Sequence, residues 1–277
     1  MMRFLSRFYI FIIFALLYAP ILVLIVFSFN DGGSLGEFTK ISLKWYGELF
    51  RDEAALTALK NSLILAVCSS IIATTLATFA ALGLHHMKKK YFKGAITSIT
   101  NIPMMNPDIV TGVSMMLLFV AVVGFLKQIG VESADRFFGF GTMLIAHTTF
   151  NLPYALLSIT PRFNQLDKSL SEAAQDLGCT PFVAFFKVEL PEIIPGIVSG
   201  LMMSFTLSLD DFVISHFVSS PDFQTLPLYV YNQTVHNVKF SMYALCALIV
   251  AIILAILLAV NFTGSVKGKK KSKRGAN

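Results

Sequence analysis

Long apolar runs constrain this chain more than any other sequence feature. A helix rises about 1.5 Å per residue, so about 20 apolar residues cross the roughly 30 Å hydrocarbon core of a bilayer. Soluble domains carry about 25% charged residues, whereas this 277-residue chain has 14% charged and 55% hydrophobic residues. The sequence therefore predicts an all-α membrane protein with six transmembrane helices. The predicted spans are residues 8–29, 61–84, 95–125, 137–160, 192–218 and 240–262.

The first of these runs has a second interpretation, as a secretory signal. Arg3 and Arg7 precede it, and basic residues precede signals as well as membrane anchors. However, the run exceeds the roughly 7–15 apolar residues of a signal, and no small-residue cleavage site follows it. We therefore expect a first membrane helix whose N-terminus faces the cytoplasm.

Proline and aromatic residues predict two local features in the first half of the chain. Residues 95–125 are too long for one span, and Pro103 and Pro107 are expected to divide them. Asn106-Pro107-Asp108 is typical of a new helix start, with Asn106 as the N-cap. Apolar residues recur at helical spacing around Trp45, which predicts a short helix at the outer membrane interface.

The distribution of basic residues predicts the orientation of the chain. With six spans and a cytoplasmic N-terminus, 15 of the 22 lysine and arginine residues fall in cytoplasmic segments. This bias follows the positive-inside rule, so both termini and residues 162–191 are expected in the cytoplasm. The basic connection at 85–93 could suit nucleic acid, but beside a span it is better explained as a cytoplasmic anchor, and no nucleic-acid partner is expected. The basic tail, residues 267–277, is expected to lie against anionic membrane lipid.

The longest polar interruption in the second half of the chain predicts a helix, a break and a second helix. Ser169 and Glu172 have the spacing of a capping box, with Ser169 as the N-cap. Gly178 fits the left-handed position that ends such a helix. Thr180-Pro181 predicts a second helix start, because proline is favoured at the first helical position. Pro191 is expected to stop that second helix.

This stretch resembles the EAA loop of bacterial ABC importer permeases. The shared pattern is Glu-Ala-Ala, three residues, Gly, nine residues, an aliphatic residue, one residue and Leu-Pro, with Val188 where isoleucine is usual. In that family the loop is a coupling helix between the fourth and fifth spans that docks on a cytoplasmic ATPase. The resemblance implies an ATPase-coupling role for Glu172, Ala173, Ala174, Asp176, Gly178, Leu190 and Pro191. From the residues alone, an ordinary amphipathic connector between membrane helices is the alternative.

Polar residues inside the predicted spans are candidates for a substrate pathway. Asp210 and Asp211 lie about 25 Å along the fifth span, in the outer third of the membrane. Because a carboxylate in hydrocarbon is costly, we expect at least one of them to meet a cationic solute, with a purely structural role as the alternative. Asp108 could extend this pathway, although its place at a helix N-terminus also explains it structurally. His147, in the fourth span, is expected to hydrogen-bond to neighbouring helices.

Residues around the aspartate pair narrow the resemblance to the spermidine/putrescine branch of these permeases. The matching stretches are Leu207 to Ser215, Met105 to Val110, Lys44-Trp-Tyr46 and Leu226-Pro-Leu228. The resemblance covers nearly the whole chain and implies a single permease domain, residues 1–277, in the bacterial inner membrane. It also implies a second, homologous permease, two cytoplasmic ABC ATPase subunits and an extracytoplasmic polyamine-binding protein as partners.

The sequence contains no motif for catalysis or metal binding. A phosphate-binding loop of the form GxxxxGK followed by Ser or Thr is absent, and Cys68, Cys179 and Cys246 form no ligand-like pair. We therefore expect no enzymatic activity, metal or cofactor in this chain, with ATP and Mg bound by the partner ATPase. Two other functions stay open: an ABC permease for another solute, such as thiamine, ferric iron or an organic anion, and a secondary transporter or channel. The latter would favour inverted repeats, which the sequence does not show.

Overall fold

The computed structural model describes residues 2–32, 38–130, 138–236, 240–252 and 254, and most of these residues are helical. Within them there is no β-strand, only the isolated bridges Asn30–Ile41 and Ser220–Phe223. The predicted all-α class is therefore confirmed for the described residues. The helices are α1 (Met2–Phe27), α2 (Lys44–Leu49), α3 (Glu53–His86), α4 (Lys90–Met105), α5 (Asp108–Gln128), α6 (Phe140–Gln165), α7 (Lys168–Asp176), α8 (Pro181–Ala184), α9 (Leu190–Asp210), α10 (Val213–Val218), α11 (Leu226–His236) and α12 (Ser241–Ile252), with a π-helical turn at Phe185–Glu189.

Four helices in the described part of the chain are long and apolar enough to cross a membrane. They are Arg7–Phe27, Glu53–His86, Asp108–Gln128 and the continuous stretch Pro181–Asp210. The fourth predicted span corresponds to α6, which is long enough but carries many polar side chains. Of the sixth predicted span, only the 12-residue helix α12 is described in full, and the rest of that span and the basic tail lie almost wholly outside the described residues.

The described residues form two compact units, one of residues 57–229 and the other of the segments before and after them. In the second unit, the turn after α1 is fixed by the helix α2 that the sequence predicted around Trp45. The Trp45 ring nitrogen donates to the carbonyl of Asn30 at 2.6 Å, and the hydroxyls of Tyr46 and Ser28 lie 2.9 Å apart. α1 itself has no buried residue in its apolar window, as expected of a helix that faces lipid.

In the unit of residues 57–229, α6 packs closely along α9. Four small residues recur at four-residue intervals on α9 and are buried: Gly196, Gly200, Ser204 and Ser208. A Cβ atom at Gly200 would lie 3.3 Å from the carbonyl oxygen of Ala155, so the two backbones nearly touch. Small-residue stripes permit such close approach between membrane helices. Because many α6 side chains face protein, α6 can carry polar residues that a lipid-facing helix could not.

The third apolar region is divided at Asn106-Pro107 only. α4 ends at Met105, α5 begins at Asp108, and Asn106 is extended with ψ 144° because a residue before proline is driven out of the helical conformation. Pro103 lies inside α4, so the prediction that it divides the region is wrong. Its missing hydrogen bond is tolerated near the end of the helix. Asn106 also does not cap α5, whose N-cap residue is Pro107.

The fifth predicted span is not one continuous helix. α9 ends at Asp210 and α10 begins at Val213, which corrects the prediction of a single helix over residues 192–218. The reason lies in Asp211, whose backbone is extended and whose carboxylate accepts hydrogen bonds from the backbone of the next turn. An aspartate that bonds locally in this way competes with helix continuation.

Candidate functional site

The segment between α6 and α9 begins with α7, and Asp167 caps this helix. The Asp167 carboxylate accepts a hydrogen bond from the backbone N–H of Ser169 at 3.0 Å, which holds the pKa of Asp167 below its ordinary value. The predicted capping box of Ser169 and Glu172 is therefore wrong. The carboxylate of Asp167, two residues before Ser169, is a charged acceptor for the free N–H groups at the helix start. α7 therefore begins before Ser169 and includes it.

Gly178 ends α7 as predicted. Its φ is +88°, in the left-handed region. The N–H of Cys179 donates to the carbonyl of Ala174 at 3.1 Å, and the N–H of Gly178 donates to the carbonyl of Gln175 at 2.9 Å. These two bonds form a complete Schellman motif, which satisfies the last carbonyls of the helix and fixes a sharp turn.

The second helix begins where the sequence predicted but does not stop where it predicted. Thr180 caps it through a 3.4 Å bond from the N–H of Val183, and Pro181 is its first residue. The chain then passes through the π-helical turn into α9, so the predicted stop at Pro191 is wrong. Pro191 has no N–H to donate, so an ordinary α-helix would lose a backbone hydrogen bond there. The wider turn directly before it shifts the hydrogen bonds from i−4 to i−5, and the helix continues past the proline.

The predicted coupling residues divide into an exposed set and an anchoring set. Glu172, Ala173 and Asp176 are exposed on α7, and Ala174 is half-buried. Leu190 packs against the core cluster that joins the ends of α3 and α6 to α9, and Phe185 of the π-helical turn is a buried member of the same cluster. The anchoring residues therefore connect this segment to three long helices through packed side chains.

Exposed apolar side chains accompany the exposed coupling residues. Leu177 is 87% exposed and Phe182 is 72% exposed. The ring of Phe182 contacts that of Phe186 in a tilted arrangement, with centroids 4.7 Å apart. Phe186 contacts Phe185 edge-on at 5.0 Å, so the exposed Phe182 connects to the core through aromatic contacts.

Asp211 is bound within the protein. Its carboxylate accepts from the backbone N–H of Ile214 at 3.2 Å and of Ser215 at 2.8 Å, the first free donors of α10. The ring Nε2 of His147 lies 3.5 Å from the same carboxylate, and the Asp211 side chain is only 8% exposed. These contacts favour the structural alternative for Asp211.

Asp210 and Asp108 have different surroundings. Both are exposed, and within the described residues neither forms a hydrogen bond or ion pair with the other or with Asp211. Asp108 lies at the first position of α5 and interacts electrostatically with Tyr154. The three predicted pathway acids are therefore not brought together as one cluster, and Asp210 is the member of the adjacent pair whose carboxylate stays available.

His147 joins three other helices through buried hydroxyls. Its Nδ1 lies 2.7 Å from the hydroxyl of Ser208 on α9, and its Nε2 lies 3.2 Å from the hydroxyl of Ser215 on α10. The Ser69 hydroxyl of α3 donates to Ser208 at 3.0 Å. The predicted hydrogen-bonding role of His147 is thus confirmed. Sequence reasoning missed the three serines, although the four-residue spacing of small residues on α9 could have identified Ser208.

No group of three or more His, Cys, Asp or Glu side chains in the described part of the chain is arranged to hold a metal ion. The chemistry of the candidate site is therefore that of exposed carboxylates, a capped surface helix and its aromatic anchor.

A family model described as "Binding-protein-dependent transport system inner membrane component" matches residues 73–263. The chain is 41% identical over 237 residues to the putrescine transport system permease protein PotI of Escherichia coli (strain K12), covering 86% of this chain and 82% of that protein. It is 34% identical over 249 residues to the spermidine/putrescine transport system permease protein PotC of Haemophilus influenzae, covering 89% and 91% of the two chains.

Solved structures show the same fold at lower sequence identity. A chain of a bacterial ABC transporter involved in the import of the acidic polysaccharide alginate superposes with a TM-score of 0.73 at 18% identity, covering 94% of both chains. A structure of the alginate transporter in complex with an alginate pentasaccharide-bound periplasmic protein matches with the same TM-score and covers 94% of this chain.

Proposed function

This chain belongs to the family of binding-protein-dependent transport system inner membrane components, and on this premise we propose that it is a permease subunit of an ABC importer for polyamines. The observation that carries the substrate class is the 41% identity, over 86% of the chain, to a putrescine permease. The likeness to alginate transporter chains supports the fold only, since identity there is 18%.

The proposed topology is a single permease domain with six spans and both termini in the cytoplasm. The four long apolar helices supply the first, second, third and fifth spans. We assign α6 as the fourth span because its 26 residues can reach across a bilayer while its polar side chains are buried by neighbouring helices. The sixth span stays the sequence prediction for residues 240–262, of which α12 is the helix that the structure describes.

In this topology α7 is the coupling helix. The exposed Glu172, Asp176 and Leu177 would meet a cytoplasmic ATPase, which binds and hydrolyses ATP with Mg. The Schellman turn at Gly178 would hold α7 at a fixed angle to α8, and Phe185 with Leu190 would pass its displacement into the cores of α3, α6 and α9. Movement driven by ATP binding would then change which side of the membrane the pathway faces.

For the pathway we propose Asp210 as the carboxylate of the adjacent pair that meets the solute. It is exposed, whereas Asp211 is engaged by Ile214, Ser215 and His147. An ammonium group that leaves water needs a charged partner. The unpaired carboxylate, near the extracytoplasmic side of the inner membrane, supplies one. Asp108, exposed at the start of α5, is proposed as a second acid along the route. A homologous second permease, two ATPase subunits and a polyamine-binding protein would complete the importer.

Co-purification followed by transport tests the proposal. The complex is purified through this chain and reconstituted in liposomes with the binding protein, and ATP-dependent uptake is measured for putrescine, spermidine, thiamine, ferric iron and an organic anion. We expect uptake of a polyamine only. Uptake of another solute of this panel instead would contradict the substrate class, and uptake by this chain without an ATPase would contradict the importer class.

A further inference from the structure

Two adjoining cavities lie beside the C-terminal end of α3. The larger has a volume of about 530 Å³ and is lined by charged residues of the α3–α4 connection, α7 and the π-helical turn. The smaller has a volume of about 280 Å³ and is lined mostly by aromatic and aliphatic residues. His86, Ser171, Gln175 and Glu189 line both, so a polar cavity and an apolar cavity share one boundary.

The larger cavity is lined by equal numbers of lysines and carboxylates, which come from different elements. Its lysines are Lys88, Lys90 and Lys93, and its carboxylates are Asp167, Glu172 and Glu189. The lysines come from the α3–α4 connection and α4, and His85 and His86 line the cavity from the end of α3. The carboxylates come from the N-cap of α7, from α7 itself and from the π-helical turn. A group that carries one positive and one negative charge matches this arrangement better than a purely anionic group does.

Glu189 is the residue that most clearly needs a ligand. It is 7% exposed, and its Oε2 atom is buried without a hydrogen-bond partner in the described part of the chain. A buried carboxylate without a partner is costly, and a hydrogen-bonding cation offsets that cost. Its position in a π-helical turn fits this view, because such turns are frequent at functional sites.

The smaller cavity lies beside the last two turns of α3, further into the proposed membrane span than the larger cavity. Phe79 and Leu82 belong to the last two turns of that helix, and Phe182, Phe185 and Phe186 face them from the other side. Phe79 is 55% exposed and Phe182 is 72% exposed, so apolar surface continues outward from this cavity. If α3 spans the bilayer, the apolar cavity is at the level of the acyl chains and the charged cavity lies just beyond them.

We propose that the two cavities together bind one phospholipid whose headgroup carries a primary ammonium. The ammonium bonds to Glu189, the phosphate lies toward Lys88, Lys90 and Lys93, and the first part of an acyl chain occupies the aromatic cavity. The lipid then links the end of α3 to the coupling segment. This inference rests on the proposed membrane placement of α3 and does not depend on which solute is transported.

Lipid retention by the assembled transporter tests the proposal. The complex is reconstituted in nanodiscs of equimolar phosphatidylethanolamine, phosphatidylglycerol and phosphatidylcholine, transferred to a mild detergent, and analysed by mass spectrometry for lipid per complex. We expect phosphatidylethanolamine to be enriched about tenfold over the other two, since it alone offers Glu189 a charged N–H donor: the glycerol headgroup donates only from neutral hydroxyls, and the choline ammonium has no N–H. Glu189→Gln, which keeps size but removes the charge, should lower that enrichment about tenfold.

The matched control is Glu192→Gln, three residues further along. Glu192 is exposed in the first turn of α9 and lines neither cavity, so retention should stay at the wild-type level. Preferential retention of phosphatidylglycerol, no retained lipid, or unchanged retention in Glu189→Gln would each overturn the proposal. If Glu189→Gln does not assemble, the wild-type lipid ratio still decides. Retention is measured without polyamine or ATP, so a failed uptake assay alongside normal retention would count against the substrate class alone.

Discussion

Replacing Asp210 and Asp211 one at a time separates a structural carboxylate from an available one. In Asp211→Ala, the backbone N–H groups of Ile214 and Ser215 lose their acceptor at 3.2 and 2.8 Å. Both residues are 0% exposed, so water cannot replace the carboxylate. Asp210→Ala removes an exposed side chain with no partner among the described residues, which makes it a matched control one position away.

The expected magnitudes follow from these contacts. Each buried donor left without an acceptor costs about 1–3 kcal/mol, so Asp211→Ala, which leaves two, should cost roughly 2–4 kcal/mol after partial relaxation. For a chain of this size that lowers the apparent melting temperature by about 5–15 °C. Asp210→Ala should change stability by less than about 0.5 kcal/mol.

The assay measures melting and transport on the same purified complexes. Thermal melting is followed by the loss of the assembled peak in size-exclusion chromatography, and uptake of polyamine is measured in liposomes at permissive temperature. Asp210→Asn should melt like wild type but take up polyamine about ten- to a hundredfold less well, since one contact to a charged group contributes about 1.5–3 kcal/mol. Equal destabilisation by the two alanine variants, or wild-type melting of Asp211→Ala, would refute the assignment of Asp211 as a structural residue.

Three further predictions test the coupling segment, the helix packing and the topology. Gly178→Val should impair ATP-driven uptake while leaving membrane insertion intact, because a φ of +88° strains a β-branched residue by about 1–3 kcal/mol. The control is Gly83→Val, where a Cβ atom would have open space around it. Wild-type uptake in Gly178→Val would contradict the role of this turn. Gly200→Leu should lower the melting temperature of the complex, because even a Cβ atom there lies 3.3 Å from the Ala155 carbonyl oxygen, and unchanged melting would contradict the close α6–α9 contact. A single cysteine at Leu170 in a variant lacking Cys68, Cys179 and Cys246 should react with an impermeant reagent only from the cytoplasmic side, and labelling of intact cells would contradict the topology.

Local chemistry explains which features of the coupling segment could be predicted from sequence. Gly178 was predicted correctly because a helix end with positive φ favours glycine wherever it occurs. The cap of α7 was misplaced because Asp167 and Ser169 both fit the role, and sequence spacing does not rank a carboxylate against a hydroxyl at a given start. The stop at Pro191 failed because the π-helical turn before it, which lets the helix continue, has no sequence signature of its own.

The polar contacts inside the helical bundle required the three-dimensional structure. His147 and Ser208 are 61 residues apart, and only the packing of α6 on α9 brings their side chains to 2.7 Å. The packing itself was readable in part, since Gly196, Gly200, Ser204 and Ser208 repeat at four-residue intervals and would lie on one helix face. The repeat does not identify the helix that packs on it. It therefore reveals neither the contact with His147 nor the register of α6 against α9.

The break between α9 and α10 explains how adjacent aspartates come to occupy different environments. In an unbroken helix the two side chains would point about 100° apart, and both would belong to the outer part of one span. Instead the chain leaves the helix at Asp211, so this carboxylate turns back onto the first N–H groups of α10 and toward His147, while Asp210 stays on the last turn of α9. The carboxylate of Asp211 thus fixes the backbone at the end of α9. This backbone position keeps the carboxylate of Asp210 exposed. A pathway acid at Asp210 therefore depends on its neighbour for position, and loss of Asp211 should impair uptake indirectly, in proportion to the lost stability.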